Sequence, residues 1–313
     1  MADLQWYPGH MTKARRMMEE NISLVDLVIE LTDARAPFSG RNPDIDTLAR
    51  GKARMLLMNK ADLADPVRTQ QFCTAFEEQG IQCVALDARN RRMNDQIKKR
   101  VQEACREKLE RNRKRGILNR PLRAMVVGIP NVGKSTFINS FTGKASAKTG
   151  NKPGVTRGKQ WIRLNKELEL LDTPGILWPR FDDQEVGIRL ALIMAIREEI
   201  LNEQELAVYL LNYLKADYPE ALTQRYGTPD KPLDLSKKEH ELFTQIALNK
   251  QLIARGQTPD LDRACRMLLE DFRTGRLGRI TLERTAGTDM EVEAEGGQAE
   301  QELQTEAAGN EEE

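Results

Sequence analysis

The sequence predicts an α/β domain with a mainly parallel sheet, followed by an all-helical domain, and two observations carry the prediction. From Leu24 to Leu118, strand-like runs (LVDLVIELTD, ARMLLMNKAD, QCVALDA) alternate with amphipathic segments such as Pro66 to Gln79 and Asn94 to Lys114. That alternation is expected where helices cross over between parallel strands. From Glu185 onward the strand-like runs cease. VGIRLALIMAIREEIL, QELAVYLLNYLKADY, SKKEHELFTQIALNKQL and TPDLDRACRMLLEDFRTGRL carry apolar residues three and four apart, the helical spacing.

Taken in order, an N-terminal arm over 1–20 precedes the first strand-like run. After the third run, LRAMVVG predicts a strand entering a loop and a helix that starts near Lys134. KQWIRLNKELELLDTPG then predicts a hairpin turning at Asn165-Lys166. Two later helices carry start signals, a capping box at Ser236 and Glu239 and a cap followed by proline at Thr258-Pro259. The boundary between the domains falls near Pro179 to Glu185. This divides the chain into 1–180, a helical domain over 181–285 and a tail over 286–313.

The tail holds ten acidic residues and no Lys or Arg, so a net charge of zero conceals a charge of +10 on everything before it. With little to bury, the tail reads as disordered. The opposite bias appears from Arg89 to Arg123, where fourteen Lys or Arg face four acids. That density fits a polyanion partner and equally fits a solvated helical face. The four cysteines show neither a C-x-x-C pair nor a nearby histidine, so neither a zinc site nor a disulfide framework is expected. No apolar run is long enough for a signal peptide or a membrane span, which predicts a cytoplasmic protein with no membrane partner.

Chemistry concentrates at the ends of the strand-like runs. GIPNVGKS, Gly128 to Ser135, satisfies G-x-x-x-x-G-K-S between a strand and a helix, the context in which that pattern cradles phosphate. Backbone N–H groups of the loop (Asn131, Val132, Gly133) and of the helix start (Ser135, Thr136) converge on phosphate oxygens. Lys134 neutralises β- and γ-phosphate charge, and the Ser135 hydroxyl ligates Mg²⁺. Downstream, Asp172-Thr173-Pro174-Gly175 ends a second apolar run, with a carboxylate for Mg²⁺ and a Gly175 N–H for the γ-phosphate. Thr156, in the loop-like stretch TGNKPGVTRG, is positioned to complete the Mg²⁺ shell when the γ-phosphate is present. Asn59-Lys60-Ala61-Asp62 identifies the base. Asp62 can accept from both N1–H and the exocyclic amine of guanine while Lys60 lies along the ring, a donor pair that adenine lacks. In ALDARN, Asp87 and Ala88 form a second base-facing turn, and the Ala88 N–H is expected at guanine O6.

The order NKAD, DAR, GIPNVGKS, PGVT, DTPG resembles a circularly permuted GTPase. From WYPGHM through DARAPFSGRNP to FRTGRLGRITLE, roughly residues 4 to 284, the chain is similar to the YlqF/RbgA ribosome-assembly GTPases of bacteria. The resemblance implies a P-loop GTPase domain and an RNA-binding helical domain. Its partners would be the large ribosomal subunit precursor and its rRNA, with no DNA partner and a monomer away from the ribosome. It also implies GTP and Mg²⁺, and, through Asn131, K⁺. Because Ile176 follows DTPG where a Ras-like enzyme carries glutamine, another group must orient the attacking water, and His10 is the best polar candidate. A histidine beside Trp6 and Tyr7 also suits packing or RNA contact. Asp33 in the DARxP signature reads as structural. Arg273, Arg276, Arg279 and Arg284 are candidates for phosphate contact or for a solvated face. Two functional classes remain, a slow GTPase stimulated by ribosomal subunits and an RNA-binding scaffold in which GTP binding alone controls association. A tRNA-modifying or metal-transporting GTPase lacks supporting motifs.

Overall fold

The computed structural model describes residues 9–117, 120–143, 160–163, 167–178, 183–196 and 202–285. Six strands form one sheet: β1 Leu27–Asp33, β2 Ala53–Asn59, β3 Gln82–Ala85, β4 Leu122–Gly128, β5 Gln160–Arg163 and β6 Leu168–Asp172. Their order across the sheet is β3-β2-β1-β4-β6-β5, parallel throughout except for β5, which runs antiparallel to β6. β1 is buried along its whole length because helices cover both faces of the sheet. Leu27, Ile29 and Leu31 face one core and Val28 the other, the two-residue period of a strand.

On the Val28 side lie α1 Gly9–Asn21, α2 Asp44–Leu48 and α3 Pro66–Glu78. The expected N-terminal arm is therefore helical from Gly9, and Met18 buries itself beside Met125 and Leu171. On the Leu27 side lie α4 Asn94–Ala104 and α6 Lys134–Thr142. Asn94 to Lys114, read as one amphipathic segment, breaks at the buried Cys105. α4 anchors through Ile97 and Val101, whereas α5, Arg106–Lys114, has no buried residue.

The helical half comprises α7 Gln184–Leu192, α8 Glu203–Asp217, α9 Pro219–Tyr226, α10 Glu239–Asn249 and α11 Leu261–Thr274. Its apolar residues belong to the same continuous core as Leu27 and Val126, so helices and sheet are packed together rather than tethered. Three local expectations need correction. The run VGIRLALIMAIREEIL does not continue as one helix, because Met194 adopts φ +63° just past α7. Ser236 does not cap α10. Its hydroxyl is taken by Asp234 at 2.6 Å, and Lys238 stands at the cap without a side-chain bond. Thr258 does not cap α11 either. Thr258 and Pro259 close a short bridge to Ala254 and Ile253, and Asp260 caps the helix by accepting from the Arg263 N–H at 3.0 Å. At α11 a side-chain acceptor nearer the first turn, Asp260, takes the capping role, whereas α10 starts without a side-chain cap. The turn at Asn165-Lys166, most of the proposed boundary at 179–182 and the acidic tail lie outside the described residues.

Candidate functional site

Parallel strands carry their functional loops at their C-terminal ends. Here β1, β2, β3, β4 and β6 bring Asp33, Asn59, the 86–88 turn, Gly128 and Asp172 to one edge, in register with Asp33 opposite Asn59 and Val126 opposite Asp172. The order along the chain is permuted, yet the neighbours across the sheet are those needed to place a base-reading corner beside a phosphate-reading corner.

At the phosphate corner, Lys134 begins α6 and is 8% exposed. Its ammonium donates to Gly128 O at 3.0 Å and Ile129 O at 2.9 Å. Burial pushes the Lys134 ammonium down to about 8, and Asp172 opposes that shift. Burial likewise raises the Asp172 carboxyl, with Lys134 pulling the other way. Asp172 Oδ1 is buried and has no hydrogen-bond partner among the described residues. An orphaned carboxylate oxygen beside a buried ammonium suits a divalent cation bound with a polyphosphate. Among the described residues no group of three or more His, Cys, Asp or Glu is placed to hold a metal ion, so Mg²⁺ would depend on Asp172, the Ser135 hydroxyl in the first turn of α6 and phosphate oxygens. Val132 is buried, and Thr136 follows Ser135 in the same turn. Gly175 passes so close that a Cβ there would meet Pro130 Cα at 2.9 Å and Lys134 Nζ at 3.1 Å. Ile176 is buried, and its N–H donates to Gly128 O at 3.1 Å, so it points into the core rather than toward a water.

At the base corner, Asn59 is only 3% exposed and spends both ends of its carboxamide inside the protein. Nδ2 donates to Val132 O at 2.7 Å, and Oδ1 accepts from the Ala88 N–H at 2.8 Å. One side chain therefore ties the phosphate loop to both base-facing turns. Gly133 is required beside it, since a Cβ there would come within 2.4 Å of Asn59 Nδ2 and the backbone has φ +98°. In this structure the Ala88 N–H, expected at guanine O6, donates to Asn59 Oδ1. Asp62 Oδ2 accepts from Arg89 at 2.7 Å, whereas Asp62 Oδ1 is buried with no partner among the described residues, the kind of acceptor a guanine edge satisfies. Asp87 holds Arg89 through its N–H and its guanidinium. Lys60, at φ +60°, places its ammonium 2.9 Å from Asp33 Oδ2.

Sequence reasoning did not find the Arg89 contact, the Asn59 bracket or the Lys60 to Asp33 pair. The available signal for Asp33 was its position at the C-terminal end of a strand, where the chemistry of the other motifs also lies. Asn131, at φ +56°, donates from Nδ2 to Met194 O at 2.7 Å, linking the phosphate loop to the end of α7. The four C-terminal arginines, candidates for phosphate contact or for a solvated face, each have a partner within the chain. Arg284 pairs with Asp217 at 2.7 Å and Arg276 with Asp271 at 3.5 Å. Arg279 and Arg273 donate to Asp62 O and Leu192 O, each at 3.4 Å. His10 lies in α1, but its side chain, like the whole of Thr156, falls outside the described residues.

Comparison with known proteins agrees with this arrangement. Residues 123–250 match the family model described as 50S ribosome-binding GTPase. Ribosome biogenesis GTPase A of Priestia megaterium is 47% identical over 281 residues, covering 90% of this chain and 96% of that protein. The Bacillus pumilus protein of the same name is 44% identical, covering 90% of this chain and 98% of its own. The crystal structure of GNP-bound YlqF from T. maritima superposes with a TM-score of 0.58 at 26% identity, covering 87% of this chain and 98% of that one. Similarity of this degree over nearly whole chains, on a sheet whose motifs meet in permuted order, shows that the chain belongs to the ribosome biogenesis GTPase A (YlqF/RbgA) family, the ribosome-assembly GTPases that bind and hydrolyse GTP.

Proposed function

We propose that this GTPase binds the precursor of the large ribosomal subunit and couples GTP hydrolysis to late maturation of that particle. It is a cytoplasmic protein, monomeric off the ribosome, whose intrinsic turnover is slow. The observation that carries this reading is the placement of the basic segment. Arg89, which holds Asp62, opens an exposed stretch that continues through Arg91, Arg92 and Lys99 to Arg113 and Lys114 on α5. α5 buries none of its side chains. A cationic surface starting at the base-reading turn is suited to phosphate backbone of rRNA. The family description and the names of the relatives, which concern those proteins, point the same way.

In this reading Asp62 accepts from guanine N1–H and the exocyclic amine, and Lys60 lies along the ring. The N–H groups from Asn131 to Thr136 and the Lys134 ammonium neutralise the phosphates. Mg²⁺, when bound, offsets the charge that develops on the transferred phosphoryl oxygens. Ser135, Asp172 and Thr156 would hold it, and the Gly175 N–H would face the γ-phosphate. Donation from Asn131 Nδ2 to Met194 O leaves Oδ1 as a lone-pair donor for K⁺. His10 positions the water, a task that the buried Ile176 does not perform.

Phosphate release from GTP, measured with and without purified large-subunit precursors, tests the proposal. Stimulated release, weakened by raising salt as electrostatic docking requires, is expected. Turnover that subunits leave unchanged, together with GTP-dependent cosedimentation, would establish the scaffold reading instead.

A further inference from the structure

The segment after α11 does not stay with the helical half. Past Gly275, where φ is +78°, residues 276–285 run back behind the base-reading loop. The Ile280 N–H donates to Leu63 O at 3.0 Å, and the Leu282 N–H to Arg35 O at 2.7 Å. Between them the Thr281 hydroxyl accepts from the Asp65 N–H at 3.1 Å and donates to Ala34 O at 3.4 Å. Glu283, buried, accepts from the N–H groups of Phe38 and Ser39 at 2.7 and 2.8 Å.

The helical half grips the other side of this strap. The Tyr213 and Tyr218 hydroxyls donate to Thr281 O at 2.8 and 3.2 Å, and Asp217 holds both Arg284 and Arg68 of α3. A second path runs through the DAR signature. Asp33, 1% exposed, binds the Lys60 ammonium on one side and the Arg35 guanidinium on the other. Burial opposes its ionisation, yet Arg35 and Lys60 together hold the Asp33 carboxyl well below the usual carboxylate range. Arg35 in turn lies over the Phe272 ring of α11 at 5.2 Å and donates to Arg273 O at 3.4 Å.

We propose that the strap and the Asp33–Arg35 pair position the guanine-reading loop, so that base recognition depends on the helical half and on any partner that grips it. Asp62 stands between two anchored points, Lys60 held by Asp33 and the Leu63 to Asp65 turn held by Ile280 and Thr281. A loop restrained on both sides of its reading residue loses less freedom when the base binds. Linkage then requires reciprocity: a partner that shifts the helical half changes guanine affinity by the factor with which guanine changes that partner's affinity. Thr281 and Asp33 are positioning residues, acting through Asp65 and Lys60. The inference rests on assigning Asn59 to Asp62 to the base.

The test uses the full chain and three probes: GDP, IDP, which lacks the exocyclic amine, and inorganic pyrophosphate with Mg²⁺. Thr281→Val keeps the shape but strands the Asp65 N–H, while Thr281→Ser keeps the hydroxyl. Thr281→Val should speed GDP dissociation about three- to tenfold and lower the preference for GDP over IDP, with pyrophosphate affinity unchanged and Thr281→Ser restoring both. Unaltered GDP dissociation and GDP/IDP preference, or equal weakening of all three probes, would overturn the proposal. Should Thr281→Val not fold, hydrogen exchange in the unmodified chain decides. GDP should slow exchange at Ile280 and Leu282 more than pyrophosphate does, and equal protection by both would overturn it. An unmodified chain that fails to bind GDP would refute the base assignment itself, a separate outcome.

Discussion

The two corners of the nucleotide site are built in opposite ways. The base corner is braced from behind by the strap, by Asp33 and by Arg35, and its reading loop is held on both sides of Asp62. Fewer polar contacts, among the described residues, join the phosphate corner to the helical half. Among the described residues, the Asn131 to Met194 bond is its polar link to the helical half, and Asn59 is its link to the base corner. The contrast follows from the permutation. With the base-reading strands β1 to β3 at the start of the chain, the end of the helical half can return to them, while the Asp172 to Gly175 turn leads away toward α7. Among the described residues, the base corner is thus more extensively tied to the helical half than the phosphate corner.

Three substitutions break or sharpen that comparison. Lys134→Ala removes the buried ammonium of the phosphate corner and should lower turnover by roughly 100-fold or more while leaving the fold intact, measured by phosphate release and thermal unfolding. Asp62→Asn swaps the acceptor at the base corner for a donor. Guanine affinity should fall by ~1–3 kcal/mol and xanthine nucleotides should become preferred, which competition binding against XDP reads directly. Asn131→Ala cuts the phosphate corner's bond to Met194 and should cost about 0.5–1.5 kcal/mol of stability, seen in urea unfolding. Its effect on the GDP/IDP preference should be negligible. A change in base preference as large as that of Thr281→Val would erase the distinction between the corners.

Much of this site was legible in the residues. Gly128 to Ser135, Asp172 to Gly175 and Asn59 to Asp62 each end a strand with residue types whose chemistry is specific, so short-range pattern sufficed to name them. The contacts that join them were not legible. That Asn59 bridges Val132 and Ala88, 73 and 29 residues away, depends on which strands are neighbours in the sheet. The departures at Ser236 and Thr258 have local causes: Asp234 takes the Ser236 hydroxyl before α10 begins, and Asp260, two residues past Thr258, is the acceptor that caps α11.

By itself the sequence indicated the order of strands and helices and which loops carry phosphate- and base-type motifs, because periodicity and motif spacing are properties of neighbouring residues, and the resemblance of the motif order to permuted GTPases indicated the arrangement. Tertiary structure alone decided that residues 276–285 leave the helices for the base corner, and that Asp33 and Lys60 form a buried pair. Hydrogen bonds and ion pairs between residues more than two hundred positions apart, such as Leu282 to Arg35, exist only once packing of a shared core has brought their elements together.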